Sequence, residues 1–152
     1  MADDGVGLEA LERLRRDWEL PLEVELVDGG TWGMSLLPTI EDSDRLLFID
    51  AINTGAPPGT EIILRRDEIP RYLSMKVSPH QVDLRDVLAV AELRGTLPVE
   101  TMAIGLQPER VEMEVGLSPT LERRLDGLVA TVVRQLEAWG CACQPRPEAI
   151  CA

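Results

Sequence analysis

Two carboxylates and the single histidine of this chain lie at positions that could support chemistry. His80 follows a Ser-Pro pair just before a predicted helix, where an imidazole could ligate a metal or act as a general base. Asp50 ends a very apolar segment, and Asp4 precedes the first predicted helix. One imidazole and two carboxylates suit a divalent transition metal that keeps open coordination positions.

Each of these three residues also has a purely structural interpretation. His80 could be hydrogen-bonded to backbone at the start of a helix, and Asp50 could be an N-cap or a turn aspartate. Asp4 could be a helix cap, and this interpretation would be preferred if Asp4 stood alone. The three residues are far apart in the sequence and share no regular motif. Their spacing by itself is therefore weak evidence for a metal site.

The elements that must position these residues alternate between strands and helices. This order predicts an α/β fold, with three layers and a mostly parallel twisted sheet that has helices on both faces. The segment 46–52 is almost continuously apolar, as is typical of a strand buried on both faces. Open α/β sheets place their sites at the carboxyl edge of the strands. Asp50 is therefore expected at the functional edge of the sheet.

Hydrophobic periodicity and turn residues set the bounds of the other predicted elements. The strand at 60–64 follows the preceding strand closely enough to pair antiparallel at a sheet edge. Ser118 can act as the N-cap of the last helix, with Pro119 as its first residue. We expect one domain over residues 1–139 and a disordered tail over 140–152. The other predicted strands cover 23–27 and 101–107, and the other predicted helices cover 6–18, 33–40 and 82–94.

Composition and charge exclude several classes of function. The 152 residues are 45% hydrophobic and 28% charged, which is ordinary for one globular domain. With 27 acidic and 15 basic residues the net charge is −12, which argues against binding to bare nucleic acid or to an anionic membrane. There is no apolar run of the roughly 20 residues needed to span a bilayer, and the acidic N-terminus does not have the apolar region of a signal peptide.

The three cysteines lie at the C-terminus, at positions 141, 143 and 151. Their number is odd, and Cys141 and Cys143 are too close in sequence for an easy mutual disulfide. We therefore expect a cytoplasmic protein with reduced thiols.

Several short strings occur in an order that resembles the maturation endopeptidases of [NiFe]-hydrogenases. The likeness runs from about Asp3 to Trp139. The Ser-Pro-His-Gln string around His80 and the Gly-Leu-Gln-Pro-Glu string that begins at Gly105 are quite specific. The strings are Asp3-Asp4-Gly5-Val6-Gly7, Asp28-Gly29-Gly30-Thr31, Phe48-Ile49-Asp50-Ala51, Pro57 to Thr60, Ser78-Pro79-His80-Gln81 and Ile104-Gly105-Leu106-Gln107-Pro108-Glu109.

The resemblance implies a specific activity and partner. Enzymes of this family remove a short C-terminal extension from the hydrogenase large-subunit precursor after nickel has been inserted. The metal-contacting residues that the resemblance implies are Asp4, Asp50 and His80. The nickel is carried by the substrate, so the enzyme is expected to have no cofactor of its own. Cleavage could use a metal-polarised carbonyl or metal-activated water, or His80 or a carboxylate as general base.

One departure from the family concerns the N-terminus. The family normally has a strand and a Gly-rich loop before the Asp-Asp-Gly motif, whereas here Met1 stands almost directly before it. We therefore expect the first strand to be missing from this chain and the functional protein to start about 12–15 residues earlier. The alternative hypothesis is a non-catalytic, nickel-checking or chaperone-like binder of the large subunit.

Overall fold

A three-stranded sheet organises the computed structural model, which describes residues 5–29, 33–72, 84–109 and 116–147. Strand β4 (Glu100–Leu106) is central, with β2 (Arg45–Ala51) parallel to it on one side. Strand β3 (Glu61–Arg65) pairs antiparallel with β4 on the other side. As predicted, β3 is an antiparallel edge strand, but its partner is β4 rather than the preceding strand. The described sheet is thus mixed.

Helices cover both faces of this sheet, which confirms the predicted α/β class. The last helix begins as predicted, because the Ser118 side chain accepts a hydrogen bond from the Leu121 amide and Pro119 follows.

No helix in the described ranges is long and apolar enough to cross a membrane. The helices are α1 (Val6–Asp17), a 3₁₀ helix (Gly33–Leu36), α2 (Leu37–Glu41), α3 (Ile69–Tyr72), α4 (Leu84–Leu93) and α5 (Pro119–Ala138).

Two hydrophobic cores lie on the opposite faces of the sheet. Side chains alternate along each strand, so Ile104 faces one core and Ala103 the other. The first core joins α1 and α5 to the sheet, and its largest fully buried side chains include Leu14, Leu121 and Leu125. The second core joins α2 and α4 to the other face. The sheet is therefore the middle of three layers, and its carboxyl edge is left between them.

The predicted strand at 23–27 is wrong. After a turn in which the Val24 amide donates to the Pro21 carbonyl, the segment runs without regular structure. Val24 and Leu26 still pack against the first core, and Arg15 donates to the Leu26 carbonyl. An alternating segment becomes a strand only when a neighbour satisfies its backbone groups. Within the described ranges no strand pairs with this segment.

Residues after α5 turn back onto the domain. Strand β5 (Gln144–Pro145) pairs antiparallel with β1 (Trp18–Glu19), and the Arg146 amide donates to the Asp17 carbonyl. The Cys143 side chain is buried in the first core. This arrangement differs from the disordered tail expected from residue 140, and it holds as far as residue 147. Residues 148–152 lie outside the described ranges.

Candidate active site

Asp50 is the penultimate residue of β2, at the carboxyl edge of the sheet. It is half-buried, and its Oδ1 accepts a hydrogen bond of 2.8 Å from the Ala51 amide. In the register of the sheet its neighbour on β4 is Gly105. This is the strand-end position that the sequence predicts for Asp50, and it is the position at which open α/β sheets bind their ligands.

The first turn of α1 packs directly on the end of β2. A Cβ atom at Gly7 would lie 2.2 Å from the Ile49 carbonyl oxygen and 3.7 Å from Cα of Asp50. No side chain fits in that space, so glycine is required for the helix to approach this closely. The N-terminal end of α1, where the unpaired amides carry partial positive charge, is therefore held beside the Asp50 backbone.

Strands β2 and β4 also approach closely at this edge. A Cβ atom at Gly105 would lie 1.9 Å from the Asp50 carbonyl oxygen and 2.9 Å from the Ile52 side chain. The Ile52 amide donates to the Leu106 carbonyl at 3.0 Å, which continues the ladder past the end of β2. Gly105 thus allows the chain around Asp50 to fold tightly over the end of β4.

Gln107 holds the loop that leaves Asp50. Its buried side chain donates from Nε2 to Oδ1 of Asn53 at 2.9 Å. Its Oε1 accepts from the amides of Thr54 and Ala56 at 2.8 and 3.3 Å. The sequence marked Gln107 only as part of a family-like string, and its role in shaping this loop was not predicted. A glutamine directly after an apolar strand was the available signal.

The other two predicted site residues, Asp4 and His80, lie outside the described residues, as do residues 30–32 of the glycine-rich turn. No group of three His, Cys, Asp or Glu side chains within the described ranges is placed to hold a metal ion. Asp4 and His80 are outside these ranges, so the metal site stays a prediction. The structure brings the first turn of α1 to Asp50.

Comparison with known proteins identifies the family. The family model described as hydrogenase maturation protease matches residues 8–135. The hydrogenase 2 maturation protease of Escherichia coli K12 is 38% identical over 147 residues, which cover 96% of this chain and 90% of that protein. The hydrogenase expression/formation protein HupD of Rhodobacter capsulatus is 40% identical over 141 residues, which cover 91% and 67% of the two chains.

Solved structures agree with the sequence relatives. The hydrogenase maturating endopeptidase HybD from E. coli superposes with a TM-score of 0.87 at 36% identity, over 97% of this chain and 92% of that one. A hydrogenase 2 maturation peptidase from Thaumarchaeota archaeon SCGC_AB-539-E09 superposes with a TM-score of 0.63 at 30% identity, over 92% and 91%. The chain therefore belongs to the hydrogenase maturation protease family, and its activity is that of a peptidase.

Proposed function

We propose that this peptidase removes the C-terminal extension of a [NiFe]-hydrogenase large-subunit precursor after nickel has been inserted into that precursor. The nickel is then part of the substrate, and the enzyme needs no metal of its own. Family membership supports a protease of hydrogenase maturation. The observation that carries the assignment of the site is Asp50, which ends β2 at the carboxyl edge, beside the first turn of α1.

In this proposal Asp4, Asp50 and His80 contact the substrate nickel. Asp4 is three residues before Gly7, and Gly7 packs on the Asp50 backbone. Only three residues of chain, at about 3.8 Å between consecutive Cα atoms, separate Asp4 from this contact, which supports its assignment to the same site. The support for His80 is the family-like string around it. Oxygen and nitrogen ligands suit Ni(II), and a partly filled coordination sphere leaves positions for groups of the substrate.

Two routes to bond cleavage are compatible with these residues. In one route the nickel polarises the scissile carbonyl or activates a water molecule. In the other, His80 or a carboxylate acts as the general base. Both routes use Asp50, because in this proposal its carboxylate, near the end of β2, contacts the substrate nickel.

The proposal places the reaction in the cytoplasm, where thiols are kept reduced. Cys141 and Cys143, the cysteines within the described ranges, are both free thiols. Burial raises the pKa of the Cys143 thiol, and the charges of Glu137 and Cys141 add to this effect. Cys143 is therefore a structural side chain of the first core rather than a nucleophile.

The test compares Asp50→Asn with Asp44→Asn on the nickel-loaded precursor. Both variants remove one carboxylate, but Asp44 is exposed and precedes β2 at the opposite end of the strand, roughly 20 Å away. We expect Asp50→Asn to slow removal of the extension by about 100-fold, because loss of a ligand or its support typically weakens a metal site 10- to 100-fold. Asp44→Asn should process normally. Intact-mass measurement of the large subunit reads out the cleavage.

Three further arms define what contradicts the proposal. His80→Gln should slow removal of the extension as Asp50→Asn does. Normal processing by both variants would contradict the assignment of these two residues to the site. Nickel-free precursor should stay uncut by the unmutated enzyme, and its cleavage would contradict the dependence on substrate nickel. Tight binding of the loaded precursor by the unmutated enzyme without any cleavage would favour the non-catalytic binder instead.

A further inference from the structure

A pocket with two arginines opens at the same edge of the sheet as Asp50. Its volume is about 330 Å³, and it lies between the turn before β3 and the first turns of α5. Arg123 and Arg124 line the pocket, as does the buried side chain of Leu106 at the end of β4. The other lining residues are Pro57, Pro58, Gly59, Thr60, Glu61 and Gly127.

Both arginines are without a carboxylate partner among the described residues, although the chain carries a net charge of −12. The carboxylates nearest to them on α5, Glu122 and Asp126, both bind Arg13 of α1 at 2.7 Å. The carboxylate in the pocket wall, Glu61, accepts a hydrogen bond from the Thr131 hydroxyl instead. Both arginines are exposed residues, so their charges are available to an incoming anion.

The turn that faces the arginines is held rigidly. The Gly59 amide donates to the Gln107 carbonyl at 2.9 Å, and the Gln107 amide donates to the Thr60 carbonyl at 2.8 Å. Gly59 has a φ of +84°, and a Cβ there would lie 2.9 Å from the Thr120 side chain and 3.3 Å from Cγ of Arg124. Glycine is thus needed for the turn to approach α5 so closely, and the pocket is formed before any ligand arrives.

The pocket lies within reach of a peptide bound at Asp50. Ala51 pairs with Leu106, and Leu106 pairs with Glu61, so the three residues form one row across the edge of the sheet. Two strand spacings make this row about 10 Å long. An extended peptide covers that distance in roughly three residues. The partial positive charge at the start of α5 adds to the charge of the arginines.

From this geometry we infer that the pocket of Arg123 and Arg124 binds a carboxylate of the substrate peptide, about three to five residues from the cleaved bond. Guanidinium groups bind carboxylates through paired, charge-assisted hydrogen bonds. The carboxylate belongs either to an acidic side chain or to the C-terminus of the precursor. This inference rests on the proposed function, because it requires a peptide that crosses the edge at Asp50.

The test measures KM and kcat for processing of the nickel-loaded large-subunit precursor. The variants are Arg123→Gln, Arg124→Gln and the double variant, and the matched control is Arg65→Gln. Arg65 is also exposed, but it lies at the other end of β3, about 13 Å from Glu61. We expect the double variant to raise KM about three- to ten-fold and to leave kcat within two-fold, because exposed charge pairs contribute modestly to binding. Arg65→Gln should change neither constant.

Two altered precursors distinguish the sources of the carboxylate. In one, the acidic residues near the cleaved bond are changed to amides, and in the other, neutral residues extend the C-terminus. With the altered precursor that has lost or displaced the bound carboxylate, we expect the unmutated enzyme and the double variant to show the same KM. With the other altered precursor, the double variant should still show the higher KM. If the double variant keeps the KM of Arg65→Gln on the natural precursor, the inference is overturned. Failure of the unmutated enzyme to cleave at all would count against the proposed function instead.

Discussion

At the scale of single residues, the candidate site depends on where side chains are absent. Gly7 allows α1 to contact the Ile49 carbonyl, and Gly105 allows the chain after Asp50 to fold over β4. Neither glycine takes a positive φ, so the requirement is for space rather than for backbone conformation. The Asp50 carboxylate is therefore positioned by backbone-to-backbone contact. Such contact tolerates less change than contact between side chains, which can move to other rotamers.

The first prediction concerns Gly7→Ala. Alanine in a helix normally stabilises it by about 1 kcal/mol relative to glycine. Here the new Cβ would lie 2.2 Å from a carbonyl oxygen, so α1 must move away from β2. We expect the free energy of unfolding to fall by about 1–3 kcal/mol and processing of the precursor to fall with it. Chemical denaturation and the processing assay measure the two effects.

Gly127→Ala is the matched control for the stability of this variant. Gly127 is an exposed residue of α5, and no atom lies within 4 Å of a Cβ built there. The same substitution should therefore stabilise the protein by about 0.5–1 kcal/mol. If both variants gain stability, the contact between Gly7 and Ile49 does not constrain the protein.

At the scale of elements, an acidic side chain joins two helices of the second core. Glu41, the last residue of α2, accepts hydrogen bonds of 2.6 Å from the Thr96 hydroxyl and from Nε of Arg94, just after α4. These hydrogen bonds, first that from Thr96 and then that from Arg94, hold the pKa of Glu41 below its ordinary value. The charged form of Glu41 is thus favoured in the folded state. Its hydrogen bonds join the end of α2 to the residues that follow α4.

The second prediction follows from the direction of this shift. A carboxylate whose folded-state pKa is lowered stabilises the protein above its unfolded pKa, and this stabilisation is lost as the pH falls through the folded pKa. Glu41→Gln should therefore melt at a lower temperature than the unmutated protein at pH 7. The difference should shrink as the pH falls below the ordinary range for glutamate. Thermal unfolding followed by circular dichroism between pH 7 and pH 3 tests this.

Glu23→Gln serves as the control for Glu41→Gln. Glu23 is exposed in the turn before the irregular segment, and its side chain has no described partner. Glu23→Gln removes the same charge as Glu41→Gln, so a general effect of net charge would act on both variants equally. Equal melting temperatures of the two variants at pH 7 would show that the hydrogen bonds of Glu41 add no stability.

At the scale of the whole molecule, the segment after α5 meets the segment after α1 on the face opposite the second core. Strand β5 pairs with β1 directly after α1, and Nε of Arg146 donates to the Arg15 carbonyl. Cys143 is 5% exposed and packs in the core that α1 and α5 share. The segment after α5 therefore braces the helix whose first turn contacts Asp50.

The third prediction compares two truncations of the C-terminus. Removal of residues 141–152 takes away β5 and uncovers the core around Cys143. We expect a loss of about 2 kcal/mol, which lowers the melting temperature by roughly 4–8 °C for a protein of this size. Removal of residues 148–152 alone leaves every described contact in place and should have no effect. Equal stability of the two truncated forms would mean that the segment after α5 does not brace the domain.

Elements whose signals are local can be predicted from the sequence. The period of α1, the apolar run of β2 and the Ser118-Pro119 start of α5 each predict an element that the structure contains. Helix caps, turns and periodicity act over a few residues, so they can be read without knowledge of the fold. The strand-end position of Asp50 follows in the same way, since it depends only on where an apolar run stops.

Contacts between segments that are distant in the sequence are seen only in the folded structure. It gave β3 the partner β4, and it left the alternating segment 23–27 without regular structure, because a strand needs a neighbour that its own sequence does not specify. Three features of the site also depend on contacts between distant segments. They are the packing of Gly7 on β2, the hydrogen bonds from Gln107 to the loop after β2, and the pocket of Arg123 and Arg124. Pairing, close approach and charge partners are properties of two segments at once, so the pattern within either segment cannot reveal them.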